Sequence, residues 1–200
     1  MVKTKELYKI FLFFILSYMV ILPIWLNVNF IYNKSITNLA FKIACWKYDF
    51  TIVKSKIDGK DIIYDIKNRI NIRDTANKER KISANIVMII EWVTRNVPMT
   101  LSLLLAIIFT YAYKKFWYPF LYGVVALIGL HIFTLIIISF GVIISASFQS
   151  PLMHFYISRY SMPTEILYYI GTFLGNYAYL FEPFLISFIA WLNLSKNKSL

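Results

Sequence analysis

Residues 116–158 contain no Asp, Glu, Lys or Arg. A soluble chain of 200 residues cannot cover so long an uncharged apolar run. A bilayer can, because its hydrocarbon core is ~30 Å thick and roughly 20 apolar residues cross it as a helix. The rest of the chain is therefore read against lipid. Hydrophobic residues make up 59% of it and aromatic residues 18%, a surplus that suits buried spans and interfacial Trp and Tyr.

A first charge-free run covers residues 10–33, behind the basic head MVKTKELYK. It is too long for a signal peptide and lacks a small-x-small cleavage site, so it predicts an uncleaved helix with Pro23 inside. Residues 96–113 predict a second span, with Pro98 in its first turn, where the missing N–H costs nothing. A third span is expected from about Phe116 to Ile143, and a fourth from about Glu165 to Leu194. Between them, the segment near 144–164 carries Pro151 and Pro163 and predicts an outer interfacial piece.

Residues 34–95 differ in kind. Charges are dense, and Phe50, Ile52 and Lys54 alternate with Thr51, Val53 and Ser55. Asp58-Gly59 supplies a hairpin turn, because glycine tolerates positive φ. The pattern predicts a small antiparallel sheet of two or three strands, too small for a core of its own. Residues 83–95 fit either a last strand or an interfacial turn. The expected fold is an all-α integral membrane protein of four transmembrane helices, with a small extracytoplasmic β-rich insert between helices 1 and 2. Its boundaries fall at 1–33, 34–95 and 96–200.

Orientation follows from Lys and Arg in the short segments. Lys3, Lys5, Lys9, Lys114, Lys115, Lys196 and Lys198 would share one side, opposite Arg159. Both termini then face the cytoplasm. The insert holds 13 Lys and Arg against 7 Asp and Glu, but loops longer than about 60 residues cross largely regardless of charge. The formal charge of +11 is spread over this loop and the flanks of the spans, with no basic helix or nucleic-acid-reading motif. Membrane lipids are the nearer partner, and nucleic acid is not expected.

Glu182 is the sharpest candidate for function, since a carboxylate within a span is costly. It lies 14 residues before Lys196, roughly 21 Å from that edge at 1.5 Å per residue. His131 lies 16 residues after Lys115, roughly 24 Å from the same edge. The two are expected at similar depth on neighbouring helices, within reach of a hydrogen bond. The structural alternative is a protonated Glu182, or one reaching the interface beside Pro183, that only joins helices.

Cys45, His154 and Arg159 could share the outer face, the residue types of a thiol transpeptidase. Against this, a lone cysteine in ACWKYDF also fits a small buried apolar position. One cysteine gives neither an intrachain disulfide nor a cysteine-rich metal site. No cofactor-binding motif is present. Gly171-Thr-Phe-Leu-Gly175 is a GxxxG that allows close helix approach, read here as packing within the chain.

The run Asn96-Val97-Pro98-Met99-Thr100-Leu101-Ser102-Leu103-Leu104-Leu105-Ala106 resembles the Leu-Pro-rich start of a Leu/Ala helix in the exosortase H-associated membrane proteins. The last span, from Tyr169-Ile170-Gly171 through Pro183 to Trp191-Leu192-Asn193, is similar to that family's ending, and the layout of spans and insert resembles it too. Together with the lack of a catalytic constellation and an insert too small to stand alone, the resemblance points to a non-enzymatic accessory protein, expected in a bacterial inner membrane. Its implied partner is an exosortase-like sorting transpeptidase, and it carries over no catalytic residue. The alternative is a small transporter or channel subunit using Glu182 and His131.

Overall fold

The computed structural model describes residues 4–59, 61–69, 72–73, 79–89, 94–111, 116–159 and 164–196. Lys3, Pro163, Lys198 and the pair Lys114-Lys115, which entered the reading above, lie outside the described residues. The chain is mostly helical, with a small antiparallel sheet. Its elements run α1 (Thr4–Lys47), β1 (Phe50–Asp58), β2 (Asp61–Asn68), β3 (Ile72–Arg73), β4 (Glu79–Arg80) and β5 (Ser83–Ile89). Then come α2 (Val97–Tyr111), α3 (Trp117–Phe148), α4 (Pro151–Ile157) and α5 (Thr164–Lys196). Among the described residues, two helices, α1 and α3, are long and apolar enough to cross a membrane.

The described chain forms two compact units. One comprises residues 1–32, 94–131 and 178–200, the other 33–93 and 132–177. The chain leaves and re-enters the first unit close to the expected borders at 34 and 96. The insert is not a separate body, however, because residues 132–177 share its unit.

The expected end of the first helix near Asn33 is corrected by fourteen further helical residues, 34–47. Lysines interrupt the apolar run here but leave the helical period intact. Ile36, Ala40, Phe41, Ala44 and Cys45 are buried on one face, while Lys34, Lys42 and Lys47 stay exposed. That spacing is the stripe of an amphipathic helix. The helix stops at Tyr48-Asp49, where Asp49 adopts φ 52°, a left-handed conformation that Asp tolerates.

This amphipathic end supplies the core that the sheet could not build alone. The sheet runs in the order β1-β2-β5, and Gly59 turns its first hairpin at φ 58°. Alternation puts Ile62, Tyr64 and Ile66 of β2 on the buried face, beside Ile86 and Met88 of β5. They pack with Phe41, Ala44 and Cys45 of α1, Ile143 and Ile144 of α3, and Met153 and Tyr156 of α4. Phe41 stacks on Tyr64 at 4.1 Å between ring centroids, and the Tyr64 hydroxyl donates to Asn38 Oδ1 at 2.5 Å. Burial, reinforced by the nearby Cys45, raises the pKa of this phenol and keeps it protonated. Residues 83–89 resolve as a strand, and 72–73 pair with 79–80 in a second, two-stranded ribbon.

The third helix runs to Phe148, five residues past its expected end, and α4 follows with Ser150 as its N-cap. Gly171 serves close packing: a Cβ there would lie 3.1 Å from the Ile137 carbonyl oxygen and 3.3 Å from Gly141 Cα. Backbone cannot yield as a side chain would. Gly171→Leu is therefore expected to lower unfolding free energy by about 1–3 kcal/mol, the usual range for overpacking. Gly129→Leu, with nothing within 4 Å of its added Cβ, serves as the near-neutral control. Denaturant unfolding of both variants in detergent checks the contrast.

Candidate functional site

Hydroxyl groups in apolar helices usually satisfy themselves. Ser102 donates to the Pro98 carbonyl at 2.6 Å, Thr110 to that of Ala106 at 2.8 Å, and Ser139 to that of Leu135 at 2.6 Å. Each bonds within its own helix one turn back, so it needs no partner elsewhere. A carboxyl and an imidazole have no such local solution, and their partners must come from other helices.

The first unit provides them. His131 Nε2 of α3 lies 2.5 Å from Glu182 Oε2 of α5. The other carboxyl oxygen, Oε1, lies 2.8 Å from Thr100 Oγ1 in the first turn of α2. His131 Nδ1 is 2.7 Å from the Tyr32 hydroxyl of α1. One side chain from each of the four long helices of this unit thus enters a single chain of hydrogen bonds. Thr100 Oγ1 also reaches the Asn96 carbonyl at 3.0 Å, which ends the chain on backbone.

Burial is deep at the centre. His131 is 1% exposed, Glu182 3% and Thr100 0%, whereas Tyr32 is only half-buried. Apolar packing flanks the group on the same helices, with Val97, Leu127 and Ile186 each about one turn away. Tyr32 is held from its other side by Trp25, edge-on at 5.3 Å. Pro183 follows Glu182 directly within α5. It removes one backbone hydrogen bond there without ending the helix.

The thiol set is not assembled. Cys45 is 2% exposed within the core beneath the sheet, walled in by Phe41 and Tyr48. His154 and Arg159 are exposed. The His154 ring lies 5.4 Å from that of Phe148, and the Arg159 guanidinium sits over Phe155 at 4.5 Å. Among the described residues no hydrogen bond or ion pair links Cys45 to either. Nor do any His, Cys, Asp and Glu residues there form a cluster able to hold a metal ion.

A cleft of about 330 Å³ lies in the second unit, lined in part by Val87 and Ile89 of β5, Ile138 and Val142 of α3 and Tyr168 of α5. Its lining carries no charged side chain.

Sequence reading named Glu182 and His131 and missed Thr100 and Tyr32. A threonine in the first turn of an apolar helix looks like any other self-bonding hydroxyl. A tyrosine near the end of an apolar run looks like an interfacial anchor. Compared with protein-family models, curated proteins and solved structures, the chain matches none.

Thr100→Val removes a contact that Glu182 cannot replace from its own helix. The variant is expected to lose about 1–3 kcal/mol of stability, the cost of a buried polar group left unsatisfied. Thr110→Val deletes only a bond within one helix and is expected to lose less. Equilibrium unfolding of the two variants in one detergent checks the order.

Proposed function

We propose that the protein is a non-enzymatic, multi-pass membrane accessory protein whose task is to bind a membrane-protein partner. The observation that carries this reading is the hydrogen-bond chain through Glu182. The ionisable groups within the apolar helices are spent on one another, and the chain ends on a backbone carbonyl. That arrangement suits holding helices together. It offers neither an open nucleophile nor a continuous polar path, which the transporter reading requires.

In this reading α1, α2, α3 and α5 all cross the bilayer. Large apolar side chains along α1 (Phe11, Leu16, Met19, Ile24) and α5 (Phe173, Phe181, Phe184, Phe188) are exposed. Such contiguous apolar exposure marks a surface that meets lipid or protein. The 15-residue α2 rises about 22 Å, so it crosses with the help of its flanking turns. Both termini lie on the cytoplasmic side of a bacterial inner membrane, and the sheet lies outside.

The partner-binding surface is the outer face of the sheet, where Val87 is 48% and Ile89 52% exposed. The resemblance of residues 96–106 and 169–193 to exosortase H-associated proteins names the partner class, an exosortase-type sorting transpeptidase. The test is co-expression of the tagged protein with such an enzyme. Wild type is expected to co-purify with it, and the Val87→Asp/Ile89→Asp variant is expected to lose it while retaining its unfolding midpoint. Equal recovery of the enzyme with both would contradict the proposal.

A further inference from the structure

The two edges of the three-stranded sheet are built differently. In an antiparallel sheet, successive residues of a strand turn their N–H and C=O to opposite sides. Asn68 N–H donates to the Ile82 carbonyl at 3.1 Å, and Arg69 N–H to that of Asp49 at 2.8 Å. Even-numbered residues of β2 therefore bond toward β5, and odd-numbered ones toward β1. Carried along the register, Ile86 and Met88 bond inward to Tyr64 and Ile62. Ser83, Asn85, Val87 and Ile89 then turn their backbone groups away from β2. Among the described residues no strand pairs with that edge.

Unpaired edges invite stray pairing, and proteins blunt them with lysines or bulges. The other edge, β1, carries both: exposed Lys54 and Lys56, and a register shift between Ile52 and Lys54. Strand β5 has neither. Its sequence SANIVMI is uncharged, and its register with β2 runs unbroken from Ser83 to Ile89.

The cleft of this unit lies along the unguarded edge. It touches Val87, Met88 and Ile89, successive residues whose side chains alternate between the faces of the sheet. A cleft on one face would meet only every second residue, so this one abuts the edge that β2 leaves open. Its far wall, from α3 and α5, is poor in hydrogen bonds. The Thr172 hydroxyl, for instance, is spent on the Tyr168 carbonyl at 2.9 Å. An acyl chain would fill the space but leave the outward N–H and C=O of Val87 and Ile89 covered and unpaired, which is costly. At about 330 Å³ the cleft holds a short strand and not the sheet of a second copy. A single extended peptide satisfies both requirements, with backbone bonds to β5 and uncharged side chains in the cleft.

We propose that β5 is a β-augmentation site, which takes an extended, uncharged segment of another polypeptide as the fourth strand of the sheet, with alternate side chains entering the cleft. The site shares Val87 and Ile89 with the partner surface proposed above. It holds for any polypeptide partner, however, and its test needs no sorting enzyme.

The test pans a library of random seven-residue peptides, the length of β5, on the full chain in detergent. The strongest binder is synthesised with a fluorophore. It is expected to be uncharged and rich in Val, Ile and Thr, which favour strands. Val87→Pro removes one outward N–H and leaves the ladder with β2 in place. It is expected to weaken the peptide roughly tenfold or more, through the lost bond and the bulk of the ring. Ser55→Pro does the same to an outward N–H of β1 and is expected to leave binding unchanged. Thr172→Trp, at an exposed position on the cleft wall, is expected to block the peptide. N-methyl groups at alternate peptide positions are expected to abolish binding in one phase and spare it in the other. That arm changes only the peptide, so it survives a misfolded variant. A library with no binder, or a binder indifferent to the phase of methylation, would overturn the proposal. So would a fatty-acid probe whose binding Thr172→Trp abolishes, or a dimer of the chain that Val87→Pro dissociates.

Discussion

A carboxyl group enclosed by apolar helices must find its hydrogen bonds outside its own helix. Glu182 meets that constraint with His131 and Thr100, and His131 extends it to Tyr32. The four helices of the first unit therefore have to meet at one level, whatever else their apolar faces permit. Leucine and phenylalanine surfaces alone would allow many rotations and slides at similar energy. Individual polar contacts between membrane helices average only about 0.6 kcal/mol, whereas an ionisable side chain left alone in a bilayer costs about 2.5–3.5 kcal/mol. The cost of failure exceeds the gain from each bond, so the network selects one packing more than it adds stability.

The second unit solves a different problem. A three-stranded sheet is marginal unless something covers one face. Here the cover comes from the same chain, from the amphipathic end of α1 and from α3 and α4. The Phe41–Tyr64 stack and the Tyr64–Asn38 bond fix the sheet to the helix that precedes it. What remains outward includes Val87 and Ile89, about half exposed beside the cleft they line with α3 and α5.

Runs and periods were legible to different degrees. The helix Trp117–Phe148 is plain from its lack of charge, and the β1-β2 hairpin from alternation around Asp58-Gly59. Glu182 and His131 could be matched by counting residues from flanking lysines, because helical rise converts count to depth. The extension of α1 is hard to see in the sequence because Lys34, Lys42 and Lys47 break the hydropathy run while leaving the helical stripe intact. Thr100 and Tyr32 were not legible at all. Their roles depend on which helices become neighbours, and local residue type does not encode that. Cys45 is buried beneath the sheet, as the small apolar position in ACWKYDF also allowed, while His154 and Arg159 are exposed.

The central claim is that Glu182 and His131 are energetically coupled across two helices. A double-mutant cycle measures this directly, comparing unfolding free energies of Glu182→Ala, His131→Ala and the double variant with wild type. The account predicts strong non-additivity, with a coupling of about 1 kcal/mol or more, near the upper end for polar pairs between membrane helices. Additive losses would mean that the two side chains do not hold each other, and the account of the fold would fail with them.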